Sequence, residues 1–482
     1  MSAEFDLLGP WISLCAGILL TLLISVIRTE SKRPAQISAL ITVVGTAVLS
    51  LGKQPSEAAL VFAGSFEISS LTLLVLGGLC ALAAMFILGT GHYLSRERIH
   101  ISDYYHLLLI LVLGASVMVA SRNLILTFIA LEVMSLPAYT LAGFRRNDSR
   151  SNEAALKYFI LGGAMGAVFL LGSSFVFGAT GTLTYSGVFS ASKSGGVMLE
   201  LGHLLLLVSF LFKVAAAPLH FWKPDVYEGA PTPVTGIMAT IITAASFLTL
   251  VRLIHMIDYG AAEMGNYLAW LKSALRFVTV ASLIVGSTVM ITQRSLKRLF
   301  AYSSITHTGY LMLGVLGSFD SGASASSVLI YLCGYCVMST GAFVLLALSK
   351  SPADTGTELI DLTGLMKRSP YLTGLWTIFL FSMAGMPFTV GFFAKYFVFM
   401  ASMNGGETVV VVIAALCTVV GAYAYLRAIA LMTMREAAPT SGEWELTPGS
   451  QLVAVGAAVF VLFLGIIPNA MLQYLKGIPL IH

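Results

Sequence analysis

The chain has 482 residues, of which 57% are hydrophobic and only 10% are charged. A soluble domain carries roughly 25% charged residues, so this composition excludes a soluble globular protein with a single membrane anchor. The formal net charge of +4 is not gathered into a basic stripe of the kind that binds nucleic acid. The composition therefore indicates an all-α polytopic membrane protein.

Apolar runs of about 20 residues, the length that crosses a bilayer, follow one another along the chain. The pattern predicts about 14 transmembrane helices, near 6–27, 35–52, 69–90, 104–120, 123–144, 153–179, 197–217, 231–256, 271–293, 297–317, 322–349, 371–401, 407–434 and 450–471. The first run has no basic flank and no small-residue cleavage site, so we interpret it as a span and not as a removable signal. Pro218 directly follows the span 197–217 and Pro387 lies inside the span 371–401, and we expect both spans to be broken.

The basic residues of the predicted loops lie mostly on one side of the membrane. Sixteen of them, Lys223 included, fall on that side and six on the other. Cytoplasmic loops carry the excess of lysine and arginine. The sequence therefore predicts a multi-pass protein with the basic side in the cytoplasm or its equivalent and both termini outside. Because no organelle-targeting segment is recognised, we expect a bacterial inner membrane, and an organelle-encoded chain stays open.

Three charged residues, Glu132, Lys213 and Lys395, lie inside apolar runs long enough to span the bilayer. A charge at such a position costs several kcal/mol unless it faces protein, water or a partner charge, and it is a functional-site hypothesis by default. Burial destabilises the charged form of a side chain, so that these groups can exchange protons nearer to neutral pH than in water. A row of such groups, bridged by water, can hold and pass protons.

The predicted proton-transfer residues are Glu132, Lys157, Lys213, His220, His307 and Lys395. Glu132 and Lys213 are interpreted as a coupled pair, and Lys395 as the distant member of the row. His307 stands in a span rich in serine and threonine, whose hydroxyls can line water, and histidine titrates close to neutral pH.

Other interpretations of these residues stay open. Glu132 and Lys213 can form a static buried ion pair. Lys157 lies about one turn from the basic-side boundary, from which its side chain can simply extend to water. His220 can cap or border the break in its helix. Arg252, near a helix end, is interpreted as an anchor.

The chain contains two pairs of segments with similar sequence. Phe212–Pro218 and Phe381–Pro387 both read F-x-x-A-x-x-P, 169 residues apart. Ser121–Leu124 opens the fifth span and Gln293–Leu296 opens the tenth with similar sequence. The members of each pair are five spans apart, an odd number, so we expect two copies that are inverted in the membrane. Inverted repeats with broken helices are typical of secondary transporters.

This repeat divides the chain into four predicted parts. Helices 1 to 3 occupy residues 1–103, the first five-helix repeat 104–256, the inverted second repeat 271–434, and the last helix 450–471. The predicted loops are too short to fold alone, so the chemistry must take place within the membrane or in partner chains.

The cysteines do not predict a cofactor site. Cys333 and Cys336 have C-x-x-C spacing, but no further cysteine or histidine stands in a similar context nearby. We interpret them as two small residues one turn apart on a buried helix. We expect no cofactor and no metal in this chain.

The segment FKVAAAPLHFWKPDVYEGAPTPVTG resembles the seventh-to-eighth helix signature of the antiporter-like membrane subunits of respiratory complex I and of the related multisubunit cation/proton antiporters. The segments LEVMSLPAYTL, QRSLKRLFAYSSITHTGYLMLG and AGMPFTVGFFAKYFVF also match this family. The resemblance covers about 120–435. It implies 14 helices, with spans 4 to 8 and 9 to 13 as the inverted repeats.

The resemblance also implies a function. Such a subunit moves protons through buried Glu, Lys, His and water, driven by electron transfer from NADH to quinone in other membrane and peripheral subunits. NADH, FMN, iron–sulfur clusters and quinone are then expected in partner subunits. By motif position, the family's glutamate and lysines of helices 5, 6, 7 and 12 and its histidine of helix 10 correspond to Glu132, Lys157, Lys213, Lys395 and His307.

One residue departs from the family pattern. The family carries a lysine in the eighth helix, where this chain has Thr243. Threonine can hydrogen-bond water but cannot hold a charge. Either the central path relies on water and His307, or the coupling between the two halves is altered. Two other functions stay open: a cation/proton antiporter subunit without redox coupling, and a scaffold whose charges are structural remnants.

Overall fold

The structure, a computed structural model, describes residues 2–27, 32–53, 55, 57–97, 99, 101–191, 196–260, 265–321, 324–349, 357–438, 444–469 and 473. Residues 322–323 and 470–471, at the ends of two predicted spans, lie outside the described residues. So do five of the basic residues that predict the orientation, namely Arg28, Arg98, Lys193, Lys350 and Lys476.

The described chain is almost entirely helical. Its helices are α1 (Ser2–Ile27), α2 (Lys32–Leu51), α3 (Ser70–Arg96), α4 (Ile101–Ala120), α5 (Leu124–Ala142), α6 (Ser149–Thr180), α7 (Tyr185–Ala191), α8 (Val197–Lys213), α9 (Trp222–Gly229), α10 (Thr232–Ile237), α11 (Thr243–Gly260), α12 (Gly265–Thr292), α13 (Leu296–Ser321), α14 (Ser324–Leu346), α15 (Leu365–Arg368), α16 (Pro370–Ala384), α17 (Val390–Asn404), α18 (Thr408–Met434) and α19 (Pro448–Ile466). A π-helical turn, Met238–Ile242, joins α10 to α11, and a 3₁₀ turn spans Leu359–Leu362. Strands β1 (Ala59–Val61) and β2 (Phe66–Ile68) form an antiparallel hairpin.

Eleven helices among the described residues are long and apolar enough to cross a membrane. The all-α polytopic fold class is thereby confirmed, and the exact number of crossings stays a prediction. The predicted spans 197–217, 297–317 and 371–401 are not among the eleven. In the first, α8 ends at Lys213, before Pro218, and the third is divided into α16 and α17 around Pro387. Helix α13 carries Lys297, Arg298 and many hydroxyl side chains.

The segment from α10 to α11 occupies the centre of the helix bundle. Residues 232–257 are all buried, whereas α1, α2, α12 and α18 are each less than half buried. The central segment packs against α3, α4, α13 and α14. It therefore lies where side chains from both halves of the chain can meet.

The first broken span ends in a tight backbone turn. The Ala216 amide donates to the Leu211 carbonyl at 2.9 Å, and the Ala215 amide donates to the Phe212 carbonyl at 2.9 Å. Ala215 has a φ of 56°, in the left-handed region. This pair of bonds is the Schellman arrangement that closes a helix and satisfies its last carbonyls.

The second broken span ends in the same way. The Met386 amide donates to the Phe381 carbonyl at 3.0 Å, and the Gly385 amide donates to the Ser382 carbonyl at 3.0 Å. The left-handed residue is here Gly385, with a φ of 87°. Each F-x-x-A-x-x-P segment therefore contains this turn, but the left-handed residue is the fourth of the first segment and the fifth of the second. In the first segment alanine occupies a conformation that favours glycine.

The starts of α5 and α13 also agree with the predicted repeat. The Leu124 amide donates to the Leu183 carbonyl at 2.9 Å, and the Leu296 amide donates to the Thr357 carbonyl at 2.7 Å. The start of α5 is thus bonded to the segment after α6, and the start of α13 is bonded to the segment after α14. The inverted orientation of the two repeats, and their boundaries, stay predictions.

A buried charge cluster joins the hairpin to the first repeat. Both Arg122 and Arg252 contact the carboxylate of Glu67, and Arg252 also donates to the Val119 carbonyl. The Glu67 side chain is only 1% exposed. Burial alone would raise the pKa of Glu67, but the charges of Arg252 and Arg122, with nearby hydrogen bonds, hold that pKa below its ordinary value. Arg252 is therefore an anchor, as its sequence position indicates.

The left-handed turn predicts that Ala215→Gly stabilises the protein. Alanine in this conformation costs about 1 kcal/mol relative to glycine. We expect the midpoint of thermal unfolding in detergent to rise for Ala215→Gly. The reverse change at the left-handed residue of the second break, Gly385→Ala, should lower it, because the new Cβ would also lie 2.9 Å from Lys395 Nζ. An unchanged or lower midpoint for Ala215→Gly would contradict the expectation.

The cluster around Glu67 predicts a pH-dependent loss of stability. Glu67→Gln removes the counter-charge of the buried Arg252 and the partly buried Arg122, and removing one partner of a buried pair costs roughly 3–5 kcal/mol. Because the folded-state pKa of Glu67 is lowered, its contribution is present above the ordinary carboxyl range and is lost as the pH falls through the folded pKa. The difference in thermal midpoint between the two proteins should therefore be large at pH 7 and shrink in acid. Glu436→Gln, in an exposed ion pair with Lys367, is the control and should change little.

Candidate functional site

Lys213, the last residue of α8, is buried at the first break. Its side chain is held by a hydroxyl and two aromatic rings. Nζ donates to Ser135 Oγ at 2.7 Å and lies 5.6 Å and 5.3 Å from the ring centres of Tyr139 and Tyr158. Lys213 is 6% exposed. The ammonium is therefore stabilised by neutral dipoles and aromatic faces.

Glu132 lies on α5 one turn before Ser135 and is partly buried. Among the described residues, its carboxylate is not within ion-pair distance of Lys213, although the two charges interact electrostatically. The two side chains are thus near enough to interact but are not in direct contact in this structure. A Cβ added at Gly166 would lie 3.1 Å from Glu132 Oε1, so glycine at that position of α6 leaves room for the carboxylate.

Lys395 occupies the second break. Its Nζ donates to the carbonyls of Met383 and Ala384 at 3.1 Å and 2.9 Å and lies 5.0 Å from the ring centre of Tyr310. These carbonyls are at the C-terminal end of α16, where a cation is favoured by the helix dipole. The break thus supplies the acceptors that a lysine needs inside the membrane.

His307 lies on α13 near Lys395. Its Nδ1 is 2.7 Å from the Tyr331 hydroxyl, and its ring centre is 4.8 Å from that of Tyr335. His307 and Lys395 line one small cavity of about 10 Å³ together with Tyr310. A cavity of this size holds about one water molecule. The predicted members of the second repeat are therefore brought together.

Lys157 is placed elsewhere. Its side chain is 41% exposed, and Nζ is 2.8 Å from Glu153 and 2.9 Å from Asp225. It lines an open cavity of about 380 Å³, which we name the vestibule and which is lined by Arg150, Glu153, Ala154, Lys157, Asp225, Glu228 and Gly229. This position agrees with the interpretation that the Lys157 side chain extends to water. It agrees less well with the prediction that Lys157 belongs to the row of buried proton-transfer residues.

His220 lies in the break between α8 and α9. It is half-buried, and its Nδ1 has no hydrogen-bond partner among the described residues. Its position agrees with the interpretation that it borders the break. No contact to Lys213 or His307 supports direct proton exchange with either.

Lys223 is a site residue that the sequence analysis missed. Its assignment to a loop on the basic side is wrong, because Lys223 lies on α9 and is only 2% exposed. Nζ donates to Ser304 Oγ at 2.7 Å and lies 5.3 Å from the ring centre of Tyr227. The polar sequence around Lys223 suggested a loop. The relevant signal was its place directly after a predicted helix break.

Thr243, the first residue of α11, faces the same region. It is 4% exposed, and its hydroxyl donates to the Met238 carbonyl at 2.9 Å, within the π-helical turn. The Tyr227 hydroxyl is turned toward Thr243 and Ser304. In the described part of the chain, the Tyr227 hydroxyl forms no hydrogen bond with either residue.

Comparisons with known proteins identify the family. A family model described as "NADH:quinone oxidoreductase/Mrp antiporter, TM" matches residues 121–421. NADH-quinone oxidoreductase subunit N of Methylobacterium nodulans is 35% identical over 467 residues, which cover 95% of this chain and 94% of the relative. NADH-quinone oxidoreductase subunit N 1 of Chloroherpeton thalassium is 36% identical over 466 residues, which cover 94% of each chain.

Solved structures agree with these matches. A chain of respiratory complex I from Thermus thermophilus with bound aureothin has a TM-score of 0.79 and 29% identity, and the match covers 96% of this chain and 98% of that one. A chain of the Mrp complex from Dietzia sp. DQ12-45-1b has a TM-score of 0.81 over 98% of this chain and 96% of that one, but at 17% identity it shows the fold alone. The chain therefore belongs to the family of antiporter-like membrane subunits shared by NADH:quinone oxidoreductases and Mrp antiporters.

Proposed function

We propose that this chain is a proton-translocating membrane subunit of an NADH–quinone oxidoreductase. Glu132, Lys213, His307 and Lys395 are its proton-transfer residues. The observation that carries the proposal is the lysine at each helix break. Lys213 and Lys395 are both buried and contact only neutral groups, so each can lose and regain a proton without breaking an ion pair. Buried groups of this kind exchange protons near neutral pH.

The proposed subunit works with partners. The matching chain from Thermus thermophilus is one of several subunits of respiratory complex I. By analogy, the redox chemistry would take place in partner subunits. There NADH, FMN, iron–sulfur clusters and quinone would supply the driving force. This chain, in the inner membrane, would contribute the proton path and contacts to neighbouring antiporter-like subunits. The vestibule would open on the cytoplasmic side, and both termini would face outward.

The two other functions fit less well. A cation/proton antiporter subunit would use similar residues, but the Mrp neighbour shares 17% identity, against 35% and 36% for the two subunit N relatives. In a scaffold, a remnant buried lysine would be expected to have a carboxylate partner that neutralises its charge. In the described residues, neither Lys213 nor Lys395 has a carboxylate within ion-pair distance.

Lys213→Ala tests the proposed function. Membrane vesicles from cells lacking the native chain should be assayed for NADH-driven quinone reduction and proton uptake together. We expect both rates to fall at least about tenfold with the complex still assembled, since a positioned proton-transfer group contributes 10² or more. Lys367→Ala, at a side chain that is 73% exposed, is the control and should leave both rates unchanged. Normal rates for Lys213→Ala would remove Lys213 from the proton path and favour the scaffold.

Gly166→Ala tests the role of Glu132 without changing its charge. The new Cβ would crowd Glu132 Oε1 at 3.1 Å and displace the carboxylate. A displacement well below 1 Å should lower proton uptake by about tenfold or less. Gly163→Ala, one turn away on α6, meets no atom within 4 Å and is the matched control. Both changes add the same helix propensity, so equal rates for the two variants would argue against a role for the Glu132 position.

A further inference from the structure

Lys223 and Lys297 are buried lysines that the proposed path does not yet use, and Lys223 differs from Lys297 in its contacts. Among the described residues no carboxylate forms an ion pair with its Nζ, which contacts the Ser304 hydroxyl and the Tyr227 ring. Burying an unpaired ammonium is expensive, and a purely structural lysine is usually held by charge or by several carbonyls. Lys297 shows that second solution nearby, because its Nζ donates to the carbonyls of Glu228 and Ala230 at 3.5 Å and 2.9 Å.

Lys223 lies between the two halves of the proposed path. Its helix, α9, packs against α6, which carries the Tyr158 ring that faces Lys213, and against α13, which carries Ser304 and His307. On the α13 side, Ser304 is one turn from His307 and also accepts a hydrogen bond from the Tyr335 hydroxyl at 2.8 Å. The Tyr335 ring in turn lies against the His307 ring. Lys223 therefore borders the His307 region directly.

Two unsatisfied hydroxyls lie beside the two lysines, because the Tyr158 ring faces Lys213 and the Tyr227 ring faces Lys223. Tyr158 and Tyr227 are both fully buried, and their hydroxyl oxygens have no hydrogen-bond partner among the described residues. The Tyr158 ring also stacks on Trp222, the residue before Lys223, at 4.8 Å. Buried hydroxyls are nearly always hydrogen-bonded to protein or water. This region is thus suited to hold water between Lys213 and Lys223.

Resting on the proposed function, we propose that Lys223 is the central proton-carrying residue of this chain, in the place that the family pattern assigns to a lysine at position 243. The Tyr227 ring lies 5.3 Å from Lys223 Nζ, and the Tyr227 hydroxyl is near both Ser304 and Thr243. We therefore expect a lysine at position 243 to reach the region that Lys223 occupies. The charge missing from α11 is thereby supplied by α9.

The proposed transfer conserves protons. The Lys223 ammonium gives one Nζ proton to Ser304 Oγ, while Ser304 releases its own hydroxyl proton to a water molecule on the side of His307. The neutral amine then takes a proton from Lys213 through water beside Tyr158 and Tyr227. One proton enters and one leaves, and only N–H and O–H bonds change.

The test uses the assembled complex in membrane vesicles, with NADH-driven quinone reduction and proton uptake as the readouts. Lys223→Met should lower both at least about tenfold. Lys223→Arg should also lower both, because a guanidinium keeps its proton. If Lys223 were only a structural cation, arginine would partly replace it and the rates would be partly retained. The double variant Lys223→Met/Thr243→Lys should regain most of the lost rate. Lys367→Met, at an exposed ion pair, is the control for loss of a lysine.

Normal rates in Lys223→Met would overturn the inference, and so would a double variant that assembles but stays as slow as Lys223→Met. Rescue by Thr243→Lys is an outcome that a merely structural role for Lys223 would not give. The result for Lys213→Ala separates this inference from the proposed function. If Lys213→Ala stops proton uptake and Lys223→Met does not, the function stands and Lys223 is not its central carrier.

Discussion

The structure depends on how an ammonium group is solvated inside a membrane protein. Lys213 uses a serine hydroxyl and two aromatic rings, Lys395 uses two backbone carbonyls and a ring, and Lys223 uses a hydroxyl and a ring. None of these contacts is a carboxylate in the described residues. Neutral dipoles stabilise a cation enough to keep it inside, yet they do not hold its proton as an ion pair would. The protonation of each lysine can therefore respond to the charge of its neighbours.

Helix breaks make this solvation possible. A continuous helix offers no free carbonyl in its interior, whereas the end of α16 presents the carbonyls of Met383 and Ala384 to Lys395. Both breaks are closed by the same pair of backbone bonds. Small residues then provide space at the charges, as Gly385 does beside Lys395 and Gly166 beside Glu132. Backbone geometry and site chemistry are in this way the same feature of the fold.

Much of this arrangement could be predicted from the sequence, because charges in apolar runs and proline in a span are rare and therefore informative. Lys213, Lys395 and His307 were found in this way, and the broken spans lie where proline indicated them. Lys157 and Lys223 show the limit. Local hydropathy placed Lys157 inside a span and Lys223 in a loop, whereas tertiary packing exposes the first and buries the second. The direction in which α9 returns into the bundle is set by contacts with α6 and α13, which no local pattern encodes.

The bonding of α9 has a mechanical consequence. By sequence this short helix continues the seventh span, but three side chains fasten it to α13: Lys223 to Ser304, Lys297 to the Ala230 carbonyl just beyond its end, and Arg298 to Glu228. On its other side α9 packs against α6, where the Trp222 ring stacks on the Tyr158 ring with centres 4.8 Å apart. The short helix is therefore held by both halves of the proposed path. A change in the spacing between α6, beside Lys213, and α13, beside His307, must strain one of these two sets of contacts.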